Sequence, residues 1–215
     1  MAVKILGVIL TVAVAYLLGS ISFAIVVSRA LAHKDVREYG SGNAGLTNVL
    51  RNFGKLPAFL TLLGDFSKGI AAVVLGRIIF GDIAGIDTQY GACLAGLFVI
   101  LGHIFPVFFG FKGGKGVLTT AGIALVIDPR VFIVSISVFL ILVFIIRIVS
   151  VSSIVAAVVY PLSTLLFTTF VDHRFALVDT VLTACIGALL IFMHRANIKR
   201  LIAGTESKFE RKKKE

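Results

Sequence analysis

Charge is scarce in this sequence. Only 15% of its 215 residues are Asp, Glu, Lys or Arg, against about a quarter in an ordinary soluble domain. With 58% hydrophobic residues and a mean hydropathy of +1.04, the shortage excludes a chain that keeps most of its surface in water. Acidic residues are scarcer still, 11 against 21 Lys and Arg. They form no cluster of the kind that holds Mg²⁺ or Zn²⁺, so no metal and no cofactor is expected. Cys93 and Cys185 stand alone within apolar segments and read as small buried hydrophobes, not as a disulfide or a metal site. No internal repeat is evident, which counts against a transporter built from inverted repeats. The first apolar segment lacks a small-residue cleavage site and is too long for a signal peptide, so a retained helix is expected. A net charge of +10 on a soluble chain would suggest nucleic acid. Here too little surface remains outside the apolar runs, and the bilayer is the expected partner.

What is present is a succession of apolar segments, about Ile5 to Leu31, Leu56 to Phe80, Tyr90 to Phe111, Val117 to Ile127, Val131 to Ile146, Val151 to Val171 and Ala176 to Met193. The expected fold is an all-α polytopic membrane bundle of about seven helices, one domain over 1–208 with a basic tail at 209–215. Val117 to Ile127, at 11 residues, is too short to cross perpendicular lipid alone, so its ends must lie in protein or shallow loops. Placing the loops after segments one, three and five together with the tail on one side gathers 15 of the 21 basic residues: Lys34, Arg37, Arg51, Lys55, Lys112, Lys115, Arg147 and eight in the tail. Lys4, Arg130 and Arg174 fall on the other side. Basic loops stay cytoplasmic, so the N-terminus is expected outside and the C-terminus inside.

Three polar stretches on the basic side carry chemistry. In Gly40 to Gly54, clustered glycines let backbone N–H groups approach a ligand, and Ser41, Gly42, Asn43, Thr47 and Asn48 supply short donors. A helix starting near Ala44 would put Thr47 and Arg51 on one face. Donors, a helix start and a guanidinium together suit an anion. The plainer alternative is a polar turn between spans. In Gly110 to Gly116, Lys112, Gly113, Gly114 and Lys115 lead into the helix at Val117 and suit phosphate for the same reasons. This is not a nucleotide P-loop, since Phe109 and Gly116 occupy the positions where that pattern needs Gly and Ser or Thr. The plainer reading is a loop whose lysines only fix topology. In the third stretch a helix continuing from the last segment would carry His194 and Asn197 one turn apart, with Arg195 and Lys199 on a neighbouring face. Alone, this also reads as a stop-transfer tail.

Taken together the stretches resemble the bacterial membrane glycerol-3-phosphate acyltransferases that use acyl phosphate, the PlsY family. The resemblance runs from Gly19-Ser20 to Glu206. It is carried by Ser41 to Asn48 with Arg51 and Gly54, Asp65 with Lys68-Gly69, and Gly102-His103 with Pro106. Phe111 to Gly116 and then His194-Arg195, Asn197-Ile198, Arg200-Leu201, Gly204 and Glu206 complete it. Leu118 departs from it where a small residue is expected, and the tail beyond Lys208 is a lysine-rich extension with no catalytic match. The resemblance implies acyl transfer from acyl phosphate to the 1-hydroxyl of sn-glycerol 3-phosphate, giving lysophosphatidic acid and phosphate. This is the first acylation of phospholipid synthesis, at a cytoplasm-facing site in the bacterial inner membrane, with a transient encounter with the enzyme that forms the donor.

The implied catalytic set is Ser41, Arg51, Lys115, His194 and Asn197, with Asp65, Lys68 and Glu206 structural. Asp65 and Lys68 read as an ion pair at i and i+3. An acyl phosphate is already activated, so the remaining demand is removal of the acceptor's proton. His194 or His103 could take it, but neither has a carboxylate partner evident in the sequence, and the donor's own phosphate oxygen is preferred. Enzymes using acyl-CoA or acyl carrier protein carry His-x4-Asp, which is missing here. The rival functions are a transporter of a phosphorylated metabolite and a lipid-headgroup scaffold.

Overall fold

The computed structural model describes residues 1–173 and 177–208; Arg174, the expected basic tail at 209–215 and its Arg211 to Lys214 run lie outside the described residues. Every regular element among the described residues is helical. Five helical stretches are long and apolar enough to cross a membrane, and a sixth, bent by 53°, joins them if it counts as one span. The protein is thus an all-α, multi-pass membrane protein. By its contacts the chain divides into two compact units, Met1–Pro129 and Arg130–Glu215.

The first unit holds α1 (Ala2–Ser20), α2 (Phe23–Ala32), α3 (Leu46–Phe53), α4 (Lys55–Ile78), α5 (Thr88–Ile104) and α6 (Val117–Ile127). α1 lies along α5, and α4 packs against α5 and α6. Lipid tails are as apolar as Leu, so these helices associate through close backbone approach at small residues. A Cβ on Gly19 or Gly102 would strike the backbone of the facing helix at the α1–α5 crossing. Gly76 and Gly91 play that part between α4 and α5, and Gly69 and Gly122 between α4 and α6. α6 spans about 16 Å at 1.5 Å per residue, half of a ~30 Å hydrocarbon core. Thr119, Thr120, Gly122, Ile123 and Ala124 bury its contact face. Between α3 and α4 the chain turns at Gly54, whose φ of 89° and ψ of −170° are open to glycine alone at little cost.

The first apolar segment is not the single helix its composition suggests. It breaks after Ser20, with Ile21 and Ser22 extended before α2 begins. The break leaves the Gly19 and Ile21 carbonyls without helical donors, and the buried Lys68 ammonium of α4 donates to both, at 3.0 and 2.7 Å. A cation 49 and 47 residues away thus stabilises a break that hydropathy cannot show.

The second unit holds α7 (Pro129–Ile146, which begins at the unit boundary), α8 (Val149–Leu166), α9 (Leu177–Met193) and α10 (Arg195–Ile202). α7 is apolar all round and only Val131 in it is buried, as befits a helix solvated by lipid. α8 and α9 pair closely. Pro161 leaves the Ala157 carbonyl without its usual donor, and Gly187 of α9 fits against that carbonyl, where a Cβ would come within 2.5 Å. Arg130 closes one end through a two-pronged pair with Asp172 at 2.8 and 2.9 Å.

Candidate functional site

The first polar stretch is built by its own side chains. Asp35 accepts from the Arg37 backbone N–H and starts a short 3₁₀ turn, Val36–Glu38. Asn48 is buried and lies inside the loop. Its amide group donates to the Val36, Tyr39 and Asn43 carbonyls, each at 3.0 Å. Its carbonyl oxygen accepts from the Ser41 backbone N–H and from Asn52. Asn48, expected as a ligand donor, therefore has its side chain committed to shaping the loop. Ser41, Gly42 and Arg51 are exposed, and Asn43 and Thr47 are half-buried. α3 starts at Leu46 with Gly45 as its cap, two residues later than the spacing suggested, and Thr47 and Arg51 keep their i, i+4 relation.

The second stretch turns back on the end of α5. The Gly113 and Gly114 N–H groups donate to the Ile104 and His103 carbonyls at 3.0 and 3.2 Å. Gly110 and Phe111 are both left-handed, at φ 66° and 59°, and Gly116 caps α6 at φ 91°. Lys112 is exposed, Lys115 half-buried and Gly114 buried. Gly114 is where the two loops meet. A Cβ there would lie 2.5 Å from the Ala44 carbonyl oxygen and would collide with His103 Nε2. Ser41 to Arg51 and Lys112 to Lys115 thus belong to one place in the fold.

Beneath that contact is a buried polar cluster. Lys68 pairs with Asp65 at 2.8 Å, the i, i+3 geometry read from the sequence. His103 Nδ1 lies 3.7 Å from the same carboxylate oxygen and 3.3 Å from Thr119 Oγ1. The sequence offered His103 no carboxylate partner; the fold supplies Asp65 from α4. His103 is buried, its ring held between this cluster and Gly114.

The first two stretches are also tied by Arg37, which the sequence showed only as a topological charge. Its guanidinium grips Asp35 at 3.0 and 2.8 Å and donates to the Phe109 and Lys112 carbonyls at 2.6 and 3.2 Å. Arg37, foremost, and then Arg29 hold the Asp35 carboxyl well below the usual carboxylate range.

The third stretch lies in the second unit. It does not continue α9 as a straight helix. The axis bends by 53° at His194, which is buried with its Nδ1 2.8 Å from the Leu190 carbonyl. Asn197 and His194 are both buried. Glu206 gathers this end: Ser150 at the start of α8 donates to Oε1 at 2.7 Å, Asn197 to Oε1 at 2.6 Å and Arg200 to Oε2 at 2.7 Å. Burial pushes the Glu206 carboxyl up, but these three donors outweigh it and leave it below its ordinary value. Among the described residues no three of His, Cys, Asp and Glu group as metal ligands.

Comparison with known proteins gives the family. The family model for glycerol-3-phosphate acyltransferase matches residues 9–204. A glycerol-3-phosphate acyltransferase of Neisseria gonorrhoeae (strain NCCP11945) is 42% identical over 202 residues, covering 94% of this chain and 97% of that one. One from Cupriavidus metallidurans is 44% identical over 201 residues, covering 94% and 96%. The crystal structure of PlsY (YgiH), an integral membrane glycerol 3-phosphate acyltransferase, aligns in its glycerol 3-phosphate form with a TM-score of 0.81 at 38% identity, over 94% of this chain and 96% of that one. Its lysophosphatidic acid form aligns with a TM-score of 0.77 at 36% identity, over 94% and 95%. The chain belongs to the glycerol-3-phosphate acyltransferase family, as an integral membrane protein of the PlsY type.

Proposed function

We propose that this acyltransferase moves a fatty acyl group from acyl phosphate to the 1-hydroxyl of sn-glycerol 3-phosphate, releasing 1-acyl-sn-glycerol 3-phosphate and inorganic phosphate. The observation that carries the reading is the meeting of two glycine-rich, basic loops at Gly114 and Ala44. Both substrates bear a phosphate, so two anion subsites must lie side by side. Ser41, Asn43, Thr47 and Arg51 from one loop and Lys112 and Lys115 from the other supply hydroxyl, side-chain amide and cationic donors, while Gly42, Gly113 and Gly114, whose N–H groups are held by the Tyr39, Ile104 and His103 carbonyls, shape the two loops around the anions. His194 and Asn197, in the second unit, are proposed as further catalytic residues, with Glu206 orienting Asn197 through its 2.6 Å bond. A related structure in a glycerol 3-phosphate form and another in a lysophosphatidic acid form support the acceptor and product.

In the step itself the acceptor hydroxyl oxygen attacks the acyl carbonyl carbon and the carbon–oxygen bond to phosphate breaks. The hydroxyl proton passes to a phosphate oxygen of the donor, which departs with it. His103 and His194 are both buried, whereas the donor phosphate oxygen already lies beside the reacting carbonyl, and the donor phosphate is the base in this reading. The protein then contributes position and charge neutralisation. Phosphate is a good leaving group, so the chemistry asks for no metal. The proposed setting is the bacterial inner membrane with both loops facing the cytoplasm.

The test is turnover by purified protein given both substrates in the presence of EDTA. Phosphate release is expected, and Arg51→Ala and Lys115→Ala should each lower kcat/KM by about 100-fold or more. Folded wild type that releases no phosphate sinks the reading. Counterflow of labelled glycerol 3-phosphate in proteoliposomes without any acyl donor would make the protein a transporter.

A further inference from the structure

The guanidinium of Arg37 joins the turn that leads into the first glycine-rich loop to the second glycine-rich loop. Its Nε and Nη2 hold the two oxygens of Asp35, at 3.0 and 2.8 Å. Arg29 donates to the same carboxylate at 2.7 Å and lies over the Phe109 ring at 5.8 Å. With Asp35 fixing its plane, Arg37 turns Nη1 toward the Phe109 and Lys112 carbonyls, 2.6 and 3.2 Å away. These carbonyls bracket Gly110 and Phe111, the consecutive left-handed residues at φ 66° and 59°. Phe111 carries a Cβ, so that conformation is strained there and needs support from outside the turn. Arg37 supplies it, and next in the chain come Gly113, Gly114 and Lys115.

We propose that Arg37 is a positioning residue for the acyl transfer: its fork to Asp35 and to two carbonyls of the second loop sets the two anion subsites at their working separation. This rests on the reading that both loops hold substrate phosphates. Neither Arg37 nor Asp35 need touch a substrate. The role demands geometry as well as charge. A planar guanidinium can satisfy a carboxylate on one edge and two carbonyls on another, whereas a lysine ammonium has three donors on one point and cannot span them. Arg37→Lys should therefore behave like Arg37→Ala.

The test pairs kinetics with amide hydrogen exchange on the full-length protein in detergent or nanodiscs. In Arg37→Ala and in Arg37→Lys, kcat/KM should fall by roughly 100-fold, the usual cost of misplacing reacting groups by about an ångström, with kcat reduced at saturating levels of both substrates. Exchange at residues 110–115 should accelerate about tenfold or more, as expected where a charge-assisted bond opens, while α5 amides keep wild-type rates. Wild-type kinetics in Arg37→Ala, full rescue by Arg37→Lys, or equal acceleration throughout α5 would each overturn the proposal. Should Arg37→Ala fail to fold, Asp35→Asn removes the charge that orients the fork and must show the same local acceleration. If wild type shows no turnover, the functional reading fails, and the exchange comparison still decides whether Arg37 braces the second loop.

Discussion

At Gly114 the His103 ring and the Ala44 carbonyl leave no room for a Cβ, whereas a Cβ at Gly110 would meet nothing within 4 Å. The two glycines look alike in sequence and do different work. Gly110 provides a left-handed turn, so Gly110→Ala should cost only about 1 kcal/mol of local strain and change turnover a few-fold. Gly114→Ala must part the two loops or displace His103 from its place beside Asp65 and Thr119. A shift of about an ångström at reacting groups costs on the order of 100-fold, so kcat/KM in Gly114→Ala should fall by that much while the melting temperature changes far less than activity. Steady-state rates of the two variants, measured beside melts in the same detergent, check this. Equal, few-fold losses at both positions would mean that loop separation does not matter. Clustered glycines and lysines made both loops legible from the sequence because such signals are local. Arg37 was not legible, since its partners are backbone carbonyls 72 and 75 residues away that leave no mark in the sequence.

The helices were legible as apolar runs, and their interruptions were not. Hydropathy is an average along the chain, while the break at Ile21-Ser22 depends on Lys68 and the bend at His194 comes beside a network centred on Glu206. That network makes a prediction about pH. Glu206 has its carboxyl lowered from an ordinary value of 4.5, so its ionised form is favoured in the folded protein. A group depressed on folding contributes stability above its unfolded value, and that contribution is lost as pH falls through the folded value. The Ser150, Asn197 and Arg200 bonds should therefore stabilise α10 and the start of α8 fully at neutral pH and lose their effect below about pH 4.5. Glu206→Gln keeps an oxygen for Ser150 or Asn197 but turns an amide N–H₂ or a neutral oxygen toward Arg200. It should melt lower than wild type at pH 7, by the roughly 1.5–3 kcal/mol that a hydrogen bond to a charged group is worth, and the two should draw together only as pH falls below 4.5 and through the lowered folded value. Melts at a series of pH values report the difference directly, and a gap that stayed constant with pH would show that the carboxylate charge is not what matters.

For the whole molecule, the positive-inside rule and the site make one joint demand. If the loops after the first and third segments hold cytoplasmic phosphates, both must face the cytoplasm, and so must the third stretch after α9. Charge bookkeeping meets that demand only with an odd number of crossings, which turns on α6. At about 16 Å it is short, yet it leans on α4 through Gly69 and Gly122 and is followed at once by Asp128 and α7. A short helix buried against a neighbour needs less lipid thickness than a free one, because its ends are satisfied by protein and loop. We therefore expect it to cross, with the N-terminus outside and the C-terminus inside. Single cysteines introduced at Lys4, Lys112, Asp128 and Ser207, with Cys93 and Cys185 replaced by alanine, allow a direct reading with a membrane-impermeant maleimide on spheroplasts. Positions 4 and 128 should react in intact spheroplasts, and positions 112 and 207 only after permeabilisation. Reaction of 128 together with 112 would make α6 a re-entrant segment, and reaction of 4 together with 207 would make the crossings even. Either result would put part of the proposed site on the wrong side for a cytoplasmic donor, and the three stretches could then no longer be read as serving one reaction.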